Sequence, residues 1–274
     1  MSLVHVPLDD VVLAAHELAV AGRWERAAQL LAATGSDERA VARLALAAAG
    51  VAIESAYFAW TGDPAAAVAE AEQHAEALDP SERWDLAFLR LRLDYFELLR
   101  SSGTFGPVGK DPEQRAAVRR TADRLRDDAP DKVRLGWAEM YIGLTLDNLE
   151  GDREAAPPHY RLALTAGESG DDLLTREALR HLGDHDHDDG DADEAAAKWE
   201  RATEVGARAG AVPGVLSQQM LLAVLARDRG DEAGAIALAT EIERWATAIG
   251  AGNIADQAAG FRQGVDPTAP PEEI

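Results

Sequence analysis

The stretch LGDHDHDDGDADEA, residues 182–195, carries two patterns. As architecture, it is the end of one helix, a Gly-Asp turn and the start of an antiparallel helix, with Trp199 and Ala202 following on one face. As chemistry, it places two histidines and five aspartates within residues 185–194, a composition typical of metal ligands. The first pattern recurs along the chain and the second occurs only here, so the first decides the fold.

The recurring unit is a turn glycine that is usually followed by Asp and, five residues after the glycine, by Ala. The spacings between successive turn glycines are 40, 89, 39 and 40 residues, at Gly22, Gly62, Gly151, Gly190 and Gly230. The long interval equals two periods plus an insertion, and Asp111 followed by Ala116 supplies the missing unit. Six units with a fixed period are typical of a repeat protein.

Each position of the unit has a physical role in a pair of helices. Glycine adopts the left-handed conformation that ends the first helix, and the following Asp accepts hydrogen bonds from the free N–H groups that open the second. Alanine allows close approach of the two helices. Large residues recur nine positions after the glycine, at Leu31, Tyr160 and Trp199, and keep one face of the second helix apolar.

The unit Leu182-Gly183…Gly190-Asp191…Ala195…Trp199…Ala202 resembles the tetratricopeptide repeat (TPR) family, and the unit from Gly151 to Ala163 is similar to it. The resemblance covers about residues 8–250 and is weaker in the outer units, where Ala71 and Ala239 replace a large residue. The period near 40 is similar to that of the C-terminal arrays of actinobacterial regulators, but this chain has no DNA-binding domain. The resemblance implies a right-handed α-α superhelix of about six TPR-like hairpins, in which the first helices line a concave groove.

The composition independently predicts an all-α protein. Hydrophobic residues make up 47% of the 274 residues, Ala is the best helix former, and alternating runs of β-branched residues are missing. We expect one helical domain over residues 1–262 and a disordered Pro-rich and acidic tail over 263–274. The predicted elements are pairs at 8–21 with 23–33, 38–61 with 63–78, 82–100 with 111–128, 132–150 with 152–167, 172–189 with 191–209 and 215–229 with 231–249, then a capping helix at 251–262.

Proline sets several of these predicted boundaries. Pro80 is expected to stop a helix, Pro157-Pro158 to bend one, and the segment 212–214, which contains Pro213, to separate two helices.

The net charge of −22 restricts the partner classes. It argues against nucleic acid, which needs clustered Lys and Arg, and against an anionic membrane surface; it favours a basic partner or a cation. The absence of cysteine excludes thiolate ligands and a cysteine nucleophile. No basic, apolar leader opens the sequence and no apolar run approaches membrane-spanning length, so a cytoplasmic, bacterial protein is expected.

The acidic histidine cluster is the one candidate for metal chemistry. His181 and His185 lie four residues apart on one helical face, and Asp186 adds a carboxylate, which suits a divalent ion. The His185-Asp186 dipeptide also resembles metal phosphohydrolases, although their other ligands are not recognisable here. The alternative is a solvated helix end without metal. A metal-dependent enzyme therefore stays open beside a protein with no cofactor.

The position four residues before each turn glycine is predicted to point inward. Asp147 and Asp186 occupy it in two neighbouring units, where other units have apolar residues. A buried carboxylate needs a partner, and Arg180, His181, His185 and Tyr141 are the candidates. If Gly143 aligns with Gly183 instead, Leu146 replaces Asp147 in this argument.

The resemblance places a ligand in the concave groove, where the middle units concentrate polar residues. The predicted groove residues are Arg90, Asp94, Glu97, Tyr141, Asn148, Arg180, Asp184 and His187. A protein or peptide partner without catalysis is the preferred function, and a small-molecule sensor, which requires a pocket beside Tyr141, is an alternative. The Lys and Asn set with which some family members bind a peptide carboxylate is absent. A homo-oligomer is left open.

Overall fold

The computed structural model describes residues 6–32, 37–102 and 105–268, and over these residues the protein is all-α, with no strand. The predicted helix end at residue 33 and the tail residues 269–274 lie outside them. Thirteen α-helices are present in this part of the chain: α1 Leu8–Val20, α2 Trp24–Leu31, α3 Glu38–Ala59, α4 Pro64–Gln73, α5 Pro80–Ser102, α6 Pro112–Asp127, α7 Lys132–Thr145, α8 Ala156–Gly167, α9 Asp172–Asp188, α10 Ala192–Arg208, α11 Val212–Asp228, α12 Glu232–Ile249 and α13 Gly252–Arg262.

The Gly-Asp turns have the conformation that the sequence predicts. Gly190 has φ 87° and Gly230 has φ 84°, in the left-handed region. The Asp191 carboxylate accepts the Glu194 N–H at 3.3 Å, and the Asp231 carboxylate accepts the Gly234 N–H at 2.9 Å. These caps start the second helix of each hairpin.

The helix before Pro80 ends ahead of it, as predicted, whereas Pro157 and Pro213 begin helices that we expected them to bend or to separate. Pro80 is the first residue of α5, and Pro157 and Pro213 lie in the first turns of α8 and α11. A proline in the first turn has no hydrogen bond to lose, and its fixed φ suits a helix. The bend predicted at Pro157-Pro158 and the break predicted at 212–214 are therefore wrong.

A π-helical turn, Leu146–Glu150, follows α7 and explains the uncertain register of the fourth unit. Gly143 lies under Tyr160, and Gly183 lies under Trp199, so these two glycines are equivalent. The following turn glycines, Gly151 and Gly190, stand eight and seven residues later. A π turn accommodates one extra residue within a helix, and this one moves Asp147 relative to its counterpart in the next unit.

The first three helices pack against the last three. One core cluster combines Trp24 of α2 with Met220 of α11 and Phe261 of α13. The Asn253 side-chain amide donates to the Tyr57 carbonyl at 3.1 Å, across 196 residues of sequence. The helix that we expected only to cap the last hairpin therefore also contacts α3.

Helix α3 is long enough and apolar enough to cross a membrane, with mean hydropathy 1.4, contrary to our expectation that no segment has that character. Length and composition alone support this, and the core helix of a soluble protein passes the same test. Here Ala42, Ala49 and Ile53 of α3 are buried against other helices.

Candidate functional site

The odd-numbered helices surround a central cavity of about 1680 Å³. Side chains from α1, α3, α5, α7, α9, α11 and α13 line it, together with the π-helical turn. Contacts of α3 with α5, of α5 with α7 and of α7 with α9 continue around it, and α13 contacts both α11 and α3. The contacts of α13 with α3 and α11 therefore place α13 opposite the middle helices across the cavity.

Aromatic rings form one wall of this cavity. The rings of Phe88 and Tyr141 lie 5.1 Å apart and those of Tyr95 and Tyr141 lie 5.5 Å apart, both edge to face. Tyr57 of α3 lies 5.7 Å from Phe96 of α5 and is 41% exposed. Because Tyr57 lines the cavity, that exposed surface faces its interior. Such rings offer large contact area to an apolar or aromatic ligand.

An ion pair spans the cavity floor between α3 and α5. The Arg92 Nη2 lies 2.5 Å from the Glu54 carboxylate, and the Arg92 Nε donates to the Tyr141 hydroxyl at 3.3 Å. Burial disfavours the charge on Arg92, but Tyr141 and Glu54 outweigh it and raise the Arg92 pKa. Arg92 is therefore a charged, partnered group that holds the Tyr141 hydroxyl in place.

Trp60 ends α3 in a conformation that L side chains rarely adopt. Its φ of 56° makes it the one non-glycine residue with a positive φ in the described part of the chain. The indole is 47% exposed and lines the cavity, with the Arg100 guanidinium 4.8 Å above its ring. Backbone strain of this kind concentrates at functional sites, and the cation–π contact stabilises the arrangement.

The histidine cluster divides between two separate networks. His185 Nε2 lies 2.9 Å from the Asp147 carboxylate, which also accepts the Tyr160 hydroxyl at 3.1 Å. Burial tends to raise the Asp147 pKa, but the hydrogen bond and charge of His185 outweigh it and lower that pKa. His185 is one of the four partners that the sequence analysis offered for Asp147.

Asp186 has a different partner from those predicted. Its carboxylate lies 2.6 Å from the Lys198 ammonium group of α10, and in the described part of the chain it forms no ion pair with His181 or His185. The described residues contain no group of three or more histidines, cysteines and carboxylates placed to hold a metal ion. The set His181, His185 and Asp186 therefore lacks the convergence that a metal site requires.

His181 packs beside Tyr160 of the His185–Asp147 network, and it forms no hydrogen bond with a carboxylate of the described residues. Its ring stacks on Tyr160 at 5.1 Å, and Asp184 lies 3.6 Å from its Nδ1. Burial, and then the charge of Arg180, lower the His181 pKa well below its usual value. His181 is therefore neutral at physiological pH.

No protein-family model matches this chain, and no curated protein matches it at a significant level. The inference of function therefore depends on the geometry of the cavity.

The structure places five of the eight predicted groove residues at the cavity. These are Tyr141, Asn148, Arg180, Asp184 and His187. Asn148 donates from its amide to the Tyr95 hydroxyl at 2.7 Å, and His187 lies 3.0 Å from Asp228.

The other three, all on α5, do not line the cavity. Arg90 turns toward α4 and pairs with Glu72 at 2.6 Å, with Asp94 4.0 Å away, and Glu97 is exposed. These three residues lie on a different face of α5 from the one that lines the cavity. Its cavity face carries Phe88 and Arg92 instead.

Several cavity residues were missed by the sequence analysis. They include Glu54, Tyr57, Arg92, Arg176 and Glu177. The sequence contained a signal for the cavity face of α5, because helical spacing places four of its residues on one face: Phe88, Arg92, Tyr95 and Leu99. No comparable signal separates Arg176 from the other arginines of the chain.

Proposed function

We propose that this protein is a non-catalytic binding scaffold whose central cavity holds a peptide segment of a partner protein. The observation that carries the proposal is the cavity itself. Its volume of about 1680 Å³ exceeds the roughly 300–1,000 Å³ of sites for drug-sized molecules. Its lining combines aromatic area with a few polar groups at fixed positions, which is the composition of a recognition site.

We also propose that the hairpins are TPR-like and stack as a right-handed α-α superhelix whose last turn meets its first. Equivalent small and large residues in successive hairpins support this proposal. A Cβ on Gly143 would lie 2.5 Å from the Tyr160 ring, and one on Gly183 would lie 2.6 Å from the Trp199 ring. The contacts of α13 with α3 and α11 support the meeting of the ends.

The charge of the protein favours a segment with basic residues. A net charge of −22 attracts cationic partners over distances of about 10 Å at moderate salt. Association is therefore expected to weaken as salt concentration rises.

A small-molecule sensor is a second candidate, because the pocket that it requires beside Tyr141 is present. Tyr141 is held by Arg92 at 3.3 Å and stands among other aromatic rings. The small molecule would bind in the same cavity as the peptide segment and would fill less of it.

Gly50 provides the experiment that tests the cavity as the site. It lies in the interior of α3, lines the cavity, and a Cβ built on it has no heavy atom within 4 Å. Gly50→Trp therefore fills part of the cavity from a helix that it does not disrupt, since Trp has a higher helix propensity than Gly. Gly50→Ala is the matched control, because it changes the same residue and leaves the cavity open.

The measurement is selection of a phage-displayed random heptapeptide library on the unmodified protein, followed by titration of each selected peptide against both variants. We expect basic, aromatic-rich peptides whose affinity falls at least tenfold for Gly50→Trp and is unchanged for Gly50→Ala. A thermal-shift screen of small organic molecules on the same three proteins tests the sensor. Ligands that bind Gly50→Trp as well as the unmodified protein would place the site elsewhere and refute both candidates.

A further inference from the structure

Two arginines of α9 bring hydrogen-bond donors without partners to the cavity. Arg176 and Arg180 both line it, and the Nε atom of each is buried without a hydrogen-bond partner among the described residues. An unpartnered buried donor on a charged group is costly to leave in a folded protein. The natural complement is an acceptor that arrives with a ligand.

Arg176 is fixed in place by close packing. Its side chain is 8% exposed and lies in a gap between α10 and α11 that two glycines create. A Cβ on Gly206 would lie 2.7 Å from its Cδ, and one on Gly214 would lie 2.8 Å from its Cζ. Its Nη2 contacts Glu177, and its Nη1 is 3.5 Å from the Gly214 carbonyl, at the limit of a hydrogen bond.

Arg180 has an open side toward the cavity. Its side chain is 23% exposed, and its Nη1 lies 3.2 Å from His181 Nε2 and 3.9 Å from the Asp184 carboxylate. No hydrogen bond joins its Nη2 to another residue in the parts of the chain that the structure describes. The Nε–Nη2 edge of a guanidinium is one of the two edges that bind a carboxylate through two parallel hydrogen bonds. Because Nε is shielded, two-point binding at this edge requires the side chain to turn Nε toward the cavity.

The acceptors around this edge are already engaged. Glu54 accepts a hydrogen bond from Arg92 at 2.5 Å, and Glu177 accepts one from Arg176. Asp184 Oδ1 accepts the Trp199 indole N–H at 3.1 Å. These carboxylates repel a multiply charged anion such as a phosphate monoester more strongly than they repel a single carboxylate.

We propose that the cavity ligand carries one carboxylate, which Arg180 binds in a bidentate manner beside Arg176, and an apolar body that lies along the Tyr57 and Phe96 rings. This inference rests on the proposed function of the cavity and adds the chemistry of its occupant. A free organic acid and the C-terminal end of a peptide both present that chemistry. Some TPR proteins bind a peptide carboxylate with a set of Lys and Asn residues that this sequence lacks. The pair of arginines is a different set of donors.

The test uses four probes and isothermal titration calorimetry. The probes are 4-phenylbutyrate, its primary amide, acetyl-Ala-Ala-Leu-Phe with a free carboxylate, and the same peptide amidated. We expect a carboxylate probe to bind about 10- to 100-fold more tightly than its amide, as for a hydrogen bond to a charged group. Tighter binding of the peptide than of phenylbutyrate identifies a peptide end, and the reverse identifies an organic acid.

Three variants assign the effect to the residue. Arg180→Gln removes the preference for carboxylate over amide, and Arg180→Lys keeps the charge but loses most of the preference, because Lys has no planar fork. Arg244→Gln removes the same charge from an outer, 62% exposed side chain and leaves binding unchanged. Circular dichroism confirms that each variant is folded.

The failures of the two proposals are distinguishable. Equal binding of acid and amide that is lost in Gly50→Trp overturns the carboxylate proposal and leaves the cavity as the site. Binding of all probes that survives Gly50→Trp removes the cavity as the site and the carboxylate proposal with it. Absence of binding by both carboxylates at millimolar concentration overturns the carboxylate proposal.

Discussion

Replacing Gly183 by Ala tests the packing on which the hairpin model depends. A Cβ at this position would lie 2.6 Å from both Cδ1 and Nε1 of Trp199, whereas carbon atoms in contact are normally about 3.5–4.0 Å apart. The indole must therefore move by about 1 Å. It is 1% exposed, and its N–H donates to the Arg180 carbonyl and the Asp184 carboxylate, both at 3.1 Å.

The expected cost follows from three contributions to the free energy of unfolding. Overpacking a filled core costs about 1–3 kcal/mol, and weakening the buried indole hydrogen bonds costs about 1 kcal/mol. The higher helix propensity of Ala offsets about 1 kcal/mol. Gly183→Ala should therefore destabilise the protein by about 1–3 kcal/mol, equal to a fall in Tm of several degrees.

Gly50→Ala is the matched control, because it makes the same substitution in a helix interior where no atom lies within 4 Å of the new Cβ. It should gain about 0.5–1 kcal/mol from helix propensity alone. Urea unfolding followed by circular dichroism at 222 nm measures both variants. If Gly183→Ala is as stable as Gly50→Ala, the close packing of α9 and α10 at Trp199 is refuted.

Three further predictions follow from other parts of the structure. The pKa of His181 is lower in the folded protein than in the unfolded chain, so the unfolded chain takes up the proton first as the pH falls. The free energy of unfolding should therefore decrease below about pH 6.5, by at most about 1.4 kcal/mol per pH unit. His181→Gln should flatten the dependence of Tm on pH between pH 7 and 5, and an unchanged slope would contradict this. Phe261→Ala removes a 1% exposed ring from the cluster that joins the first helices to the last ones, and should lower the free energy of unfolding by about 3–5 kcal/mol. Amide hydrogen exchange should become faster in α1–α3 as well as in α11–α13, and faster exchange in α13 alone would show that the two groups of helices are not coupled. Trp245→Ala, at a 50% exposed ring, is the control. Dialysis against EDTA should leave Tm unchanged, since Asp147 and Lys198 already occupy His185 and Asp186, and a fall in Tm that zinc restores would reopen the metal hypothesis.

The candidate site was only partly predictable from the sequence. Tyr141 and Arg180 were found because the first helices of the middle units are polar where outer units are not. Arg90 was expected in the groove but pairs with Glu72 away from the cavity. Arg90 and Arg92 are charged residues two positions apart on one helix, and composition alone does not tell which of them faces the cavity. The partner of Asp186 could not be predicted, because Lys198 belongs to a helix that was expected only to pack.

The sequence by itself determined the local structure: thirteen helical segments, their Gly-Asp turns, and the small and large residues where paired helices cross. These features depend on neighbours within one hairpin, so a period of about 40 residues is enough to reveal them. Only the tertiary structure decided that Asn253 of α13 reaches Tyr57 of α3, 196 residues away, and that helices from both halves of the sequence line one cavity. That outcome depends on contacts between helices far apart in sequence, such as those of α13 with α3, and no short sequence pattern records them. For the same reason the donors of Arg176 and Arg180 became visible as a site only when the opposite helices were in place.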